Sequence, residues 1–114
     1  MKGAPCEGLA KPADPAASLP PGVPAGIEGA TFYETQKQGV TTRYFAHVAG
    51  TDVVAVRDAI ERAYASSGAA IEGRDAEPPA EAEFQWTSGD REGSVQVTPL
   101  CDGRVQLRYR VAPR

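Results

Sequence analysis

At 114 residues the chain has room for one domain with a modest core and not for two independent ones. Its formal charge of −3 argues against a binder of duplex nucleic acid, which needs a broad basic surface, although local basic patches are compatible with it. No run approaches the roughly 18 apolar residues that cross a bilayer, and residues 1–11 lack the apolar stretch of a secretory signal, so the expectation is either a cytosolic protein or one whose export signal is absent from this chain.

Residues 1–30 carry Pro5, Pro12, Pro15, Pro20, Pro21 and Pro24 among many Ala and Gly, so neither helix nor ladder hydrogen bonding runs far. They are expected to form an extended arm ahead of a single domain over 31–114. Pro12 to Pro15 and Pro21 to Pro24 fit the PxxP spacing of ligands for aromatic grooves. That pattern is short and common, and a strap laid across the domain through Leu9, Leu19, Val23 and Ile27 is the simpler reading. Cys6 lies in the arm and Cys101 beside Asp102-Gly103; their separation and the lack of CxxC disfavour a redox motif and a zinc site. An even count in a small domain favours a Cys6–Cys101 disulfide over two free thiols. Such a bridge would close nearly the whole chain, stabilise it by on the order of 4 kcal/mol in the chain-entropy model, and imply an oxidising compartment. Lys2-Gly3-Ala4-Pro5 is not the small apolar approach of a lipid-anchor cysteine.

Residues 31–37 and 40–48 flank Gln38-Gly39, which suits a tight hairpin with Gly at positive φ. With Lys37 opposite Val40, Tyr33 faces Tyr44, Glu34 faces Arg43 and Phe32 faces Phe45, all sensible cross-strand pairs. This register puts Tyr33, Val40, Tyr44, Ala46 and Val48 on the core side. Phe32, Arg43, Phe45 and His47 then share the outer side, where aromatics beside a cation can hold a ligand or partner, unless the arm covers Phe32 and Phe45. His47 is the only histidine, with no Cys, Asp or Glu at ligand spacing, and reads as a surface or packed residue; no metal or cofactor is expected.

The spacing of Val53, Val56, Ile60, Ala63 and Tyr64 predicts a helix over 51–67, capped by Thr51 or Asp52 and ended at Gly68. Arg57, Asp58, Glu61 and Arg62 are assigned to its wet face, with Asp58–Arg62 and Arg57–Glu61 as surface pairs. A short strand is possible over 69–72, followed by loop chemistry through Pro78-Pro79.

In the last third, Ala82, Phe84 and Trp86 alternate with polar residues, as do Val105, Leu107, Tyr109 and Val111 with Arg104, Gln106, Arg108 and Arg110. Period two gives each strand one apolar side, which the helix should roof. Facing Thr87 with Ser94 sets Trp86 against Val95 and Phe84 against Val97. A strict two-residue loop at Asp102-Gly103 would place Val97 opposite Arg108, so either a longer loop or a bulge near Pro99 must shift the register. Arg104, Arg108 and Arg110 then leave from the open side together with Glu81 and Glu83, as a charge-laced wet sheet or an anion site.

The expected fold is therefore α+β: one helix on one face of a mainly antiparallel sheet of four to six strands, in the order β-β-α-(β)-β-β-β, behind the Pro-rich arm. No G-x-S-x-G elbow, P-loop, dinucleotide fingerprint or HExxH is present, which speaks against an enzyme. The expectation is a small extracytoplasmic module that binds a protein or cell-envelope partner through its open sheet face. A cytosolic single-stranded nucleic-acid module, with sheet aromatics stacking bases, is the alternative, and a small enzyme with a helix–sheet cleft a further one. The richness in Ala, Gly, Arg and Pro resembles that of small exported or lipoprotein-type domains of bacteria with GC-rich genomes.

Overall fold

The computed structural model describes residues 19–101 and 103–114; Cys6, Leu9, Pro12 and Pro15 lie outside the described residues. The elements are β1 (Thr31–Gln38), β2 (Thr41–Ala49), α1 (Val53–Ser66), β3 (Ala70–Glu77), β4 (Glu81–Ser88), β5 (Arg91–Cys101) and β6 (Arg104–Pro113). All strands join one antiparallel sheet of six, in the order β1-β2-β6-β5-β4-β3. This is the α+β architecture that the alternation and the single apolar helical stripe imply.

Two tight loops set the hairpin registers, and both differ from the pairing that side-chain matching suggests. Gln38 pairs with Thr41 and Ser88 with Arg91, leaving Gly39-Val40 and Gly89-Asp90 as the loops. In each, glycine takes the first loop position at φ +61 or +60, where two-residue hairpin loops of the Gly-X kind need a left-handed residue. Val40 is consequently a loop residue, 73 % exposed, and not a core residue. Relative to the expected register, β4–β5 slips by two: Trp86 faces Gly93, Phe84 faces Val95 and Ala82 faces Val97. An even slip keeps every apolar residue on its side. Gly93 fits opposite Trp86 because a β-carbon there would sit 2.8 Å from the indole Cζ2 and 1.9 Å from the Arg110 carbonyl oxygen.

Three bulges complete the registers. One at Tyr33 offsets the start of β1, so Phe32 pairs with Ala46 while Glu34 pairs with Phe45. A second lies at Glu72 in β3. The third, at Leu100 beside Pro99, is the shift that brings Val97 opposite Leu107 although Cys101 faces Arg104. β3 itself runs to Glu77, well past the four residues expected, because Gly73, Arg74 and Asp75 all pair along β4; the Pro78-Pro79 bond, which is cis, falls in the turn that follows.

Asp52 caps α1, its carboxylate accepting from the amides of Val54 (3.0 Å) and Ala55 (3.1 Å). Val53, Val56, Ile60 and Tyr64 are buried, and the helix lies over β3, β4 and β5, with the Tyr64 ring 5.4 Å from both Phe84 and Trp86. Arg57 is not on the wet side: it is buried, donates from Nη1 to the carbonyls of Asp75 (2.9 Å) and Glu83 (3.2 Å), and pairs through Nε with Asp58 (2.7 Å). Asp58 also pairs with Arg74 (3.0 Å) rather than Arg62, and Arg74 reaches Glu61 (3.1 Å), so charges expected to be solvated tie the helix to β3.

The half of the apolar face that α1 leaves free is covered by residues 19–30. Val23 joins the core, with Leu19, Ile27 and Ala30 packed against it. The Tyr109 hydroxyl donates to the Ala25 carbonyl (2.6 Å) and Arg91 to the Pro21 carbonyl (2.6 Å). Gly26 passes so close to the helix that a β-carbon on it would lie 3.1 Å from Ile60 Cα. This strap and the helix share one side of the sheet, and Phe45 is on the other.

Candidate functional site

The uncovered side is built from the alternate residues of every strand. Because Tyr44, Ala46 and Val48 pair with core residues of β6, their neighbours Arg43, Phe45 and His47 face outward beside Arg110, Arg108 and Gln106. Of the four residues expected to form a binding cluster, the structure therefore brings together Arg43, Phe45 and His47. Phe32 is separated from them: the bulge at Tyr33 turns it to the helix side, where its ring lies 5.5 Å from that of Tyr109. Tyr33 takes its place, 6.5 Å from the Phe45 ring and 5.7 Å from the His47 ring, with its hydroxyl accepting from Gln106 Nε2.

His47 is 7 % exposed, and its Nδ1 accepts from Arg104 Nε at 2.9 Å, so this ring is held in the sheet surface by its neighbours. Arg43 donates to Gln38 at 3.3 Å. Arg43 lies directly opposite Arg110, and Phe45 opposite Arg108. Among the described residues none of Arg43, Arg104, Arg108 and Arg110 is ion-paired with a carboxylate. Like charges opposed on neighbouring strands are destabilising, so the sheet keeps this arrangement at a cost. Tyr33 and Phe45, both partly exposed, flank it.

The other end of the same face has the opposite sign. Asp75 is directly opposite Glu83 and Glu77 opposite Glu81. One carboxylate oxygen each of Asp75, Glu81 and Glu83 lie within 4.8 Å of one another, and Gln96 Nε2 donates to Glu81 at 2.9 Å. Among the described residues these acids have no cationic partner. Ser94, Gln96 and Thr98 of β5 form a neutral strip between the two halves. The open face thus carries arginines and aromatics on β2 and β6, with Tyr33 and Glu34 of β1 beside Phe45, and an acidic cluster on β4 and β3.

Tyr33 and the acidic half escape a reading by period alone, the first because a bulge has no sequence mark here, the second because strand order is needed to bring Asp75 beside Glu83. On the helix side, a shallow hollow of about 220 Å³ at the loop end opens between Tyr44, Arg91 and Val111 and holds only Asp90 and Arg91 as charged groups. No cysteine among the described residues is a free thiol, and Cys6 lies outside them. No helix among the described residues is long and apolar enough to cross a membrane. No protein-family model, curated protein or solved structure matches the chain.

Proposed function

We propose that this protein is a small non-catalytic binding module that works outside the cytoplasm and engages a protein or cell-envelope partner through its open sheet face. The supporting observation is the group of arginines, Arg43, Arg108 and Arg110, which have no ion-pair partner among the described residues and stand beside partly exposed Tyr33 and Phe45. Guanidinium groups fork onto carboxylates, and an adjoining aromatic adds contact area at small entropic cost, so an acidic segment is the chemistry this half accepts. A non-catalytic role is supported by the single histidine being buried with Nδ1 taken by Arg104, and by the clustered acids lying on a flat strand pair rather than across a cleft. The extracytoplasmic assignment rests on a Cys6–Cys101 disulfide, with which the lack of a free thiol at Cys101 agrees. Alkylation before and after reduction tests it: both cysteines should be modified only after reduction.

The binding test uses poly-L-glutamate as an acidic polypeptide and a single-stranded oligonucleotide as the competing probe, since aromatics beside arginines also stack bases. The polypeptide should bind in a salt-dependent way, and Phe45→Ala and Arg108→Ala should each weaken it by roughly tenfold with the circular dichroism spectrum unchanged. Unaltered affinity in both variants overturns the assignment of this half, and tighter retention of the oligonucleotide gives it to a nucleic acid instead.

A further inference from the structure

We propose that the junction of the strap with the end of α1 is a binding site for a small uncharged molecule carrying a carbonyl, which accepts its hydrogen bonds from Tyr64 and Trp86. The site lies on the helix side of the sheet and is independent of the open face. The Tyr64 hydroxyl and Trp86 Nε1 are both donors, both buried, and both without a hydrogen-bond partner among the described residues. A buried donor left unmade costs the full desolvation of its group, so two of them on touching rings, 5.4 Å between centres, mark a place suited to an acceptor. Tyr109 of the same buried cluster shows the satisfied case: its hydroxyl donates to the Ala25 carbonyl of the strap.

A way in lies directly outside this pair. A hollow of about 250 Å³ opens between Gly22, Val23 and Pro24 of the strap and Ser67 at the end of the helix. Ser67 follows Tyr64 within one turn and its hydroxyl donates to the Tyr64 carbonyl at 2.8 Å. On the sheet side, a β-carbon on Gly22 would lie 3.6 Å from Arg91 Nη1, and Arg91 is two residues from Gly93, where a β-carbon would meet the Trp86 indole. Val23 both lines the hollow and belongs to the cluster that contains Tyr64 and Trp86, and it is the only residue of the strap that is buried. A ligand therefore enters by displacing one valine side chain.

The size and the donors define the ligand class. The volume is below the roughly 300–1,000 Å³ of pockets for drug-sized molecules and suits a single small ring. A carbonyl oxygen has two lone pairs, one for each donor. The buried cation Arg57 is committed to the Asp75 and Glu83 carbonyls and the Asp58 carboxylate, so an anion brought to Tyr64 and Trp86 would be buried without a counter-charge.

Trp86 is the only tryptophan, so the indole N–H resonance of the ¹⁵N-labelled full chain reports on this site alone. Cyclohexanone and methylenecyclohexane, which share a shape and differ in the acceptor, are the probes. Cyclohexanone should displace the indole resonance saturably and bind at least about fivefold more tightly than methylenecyclohexane. Tyr64→Phe, which keeps the ring and its packing, should weaken cyclohexanone about fivefold and leave methylenecyclohexane unchanged. Val23→Ala, which shortens the side chain to be displaced, should tighten both. If a variant fails to fold, the comparison of the two probes on the unaltered chain still decides. An indole resonance that cyclohexanone does not move, equal affinity for the two probes, or cyclohexanone bound as tightly by Tyr64→Phe as by the parent overturns the proposal.

Discussion

Tyr64 and Tyr109 show how much a single buried hydroxyl depends on its company. Burial raises the hydroxyl pKa of both far above the ordinary tyrosine value, and for Tyr64 the nearby Tyr109 adds to the shift. Tyr109 donates to Ala25, whereas the Tyr64 hydroxyl has no hydrogen-bond partner among the described residues. Since the folded values are raised above the unfolded value near 10, the protonated ring stabilises the fold fully below that pH. The contribution is lost as pH climbs toward the folded values, by about 1.4 kcal/mol per pH unit for each tyrosine. Urea midpoints should therefore be flat with respect to these groups up to about pH 10 and fall beyond it, with the fall halved in Tyr64→Phe. At neutral pH Tyr64→Phe should be neutral or stabilising by up to about 1 kcal/mol, and Tyr109→Phe should cost about 1 kcal/mol. An alkaline limb of the same steepness in Tyr64→Phe would contradict the burial of that hydroxyl. The position of Tyr64 on the helix stripe is legible from spacing; its lack of a partner is not, because only the tertiary structure shows what surrounds the ring end.

For the elements, Arg57 is the instructive case. It lies four residues after Val53, three before Ile60 and seven before Tyr64, so spacing alone places it in the buried stripe. Its charge argues for the wet side, and the structure follows the spacing, because the carbonyls of Asp75 and Glu83 and the Asp58 carboxylate satisfy the guanidinium. The residue thus ties α1 to the β3–β4 pair. Arg57→Ala should destabilise by about 2–3 kcal/mol in urea unfolding, through lost packing and three lost charge-assisted hydrogen bonds, with Arg57→Lys recovering only part. A loss below about 0.5 kcal/mol would mean that the helix is held by its apolar stripe alone. The first hairpin teaches a different lesson. Aromatics at both Phe32 and Tyr33 make either face acceptable, so period two does not reveal the bulge that swaps them, while the β4–β5 slip by two leaves the inside–outside pattern of those two strands legible.

In the whole molecule, the polarised open face arises from a pairing that no local signal encodes. The arginines of β6 are evident as an alternating set, yet they meet Arg43 and Phe45 only because β6 inserts between β2 and β5. Contacts across some sixty residues of chain, such as Ala46 with Leu107 and Val48 with Val105, form the centre of the sheet. Long-range pairing of this kind is slow, so refolding from urea should take milliseconds to seconds, and a sub-millisecond relaxation would show that the sheet centre forms otherwise. β6 is both one of the two central strands and the last of those described, so neither the first hairpin nor the β3–β4–β5 meander has its inner neighbour while the ribosome is still making residues 50–100. Each waits with an open edge. A nascent chain of this design depends on its closing segment to hide surfaces that would otherwise recruit other unfinished copies.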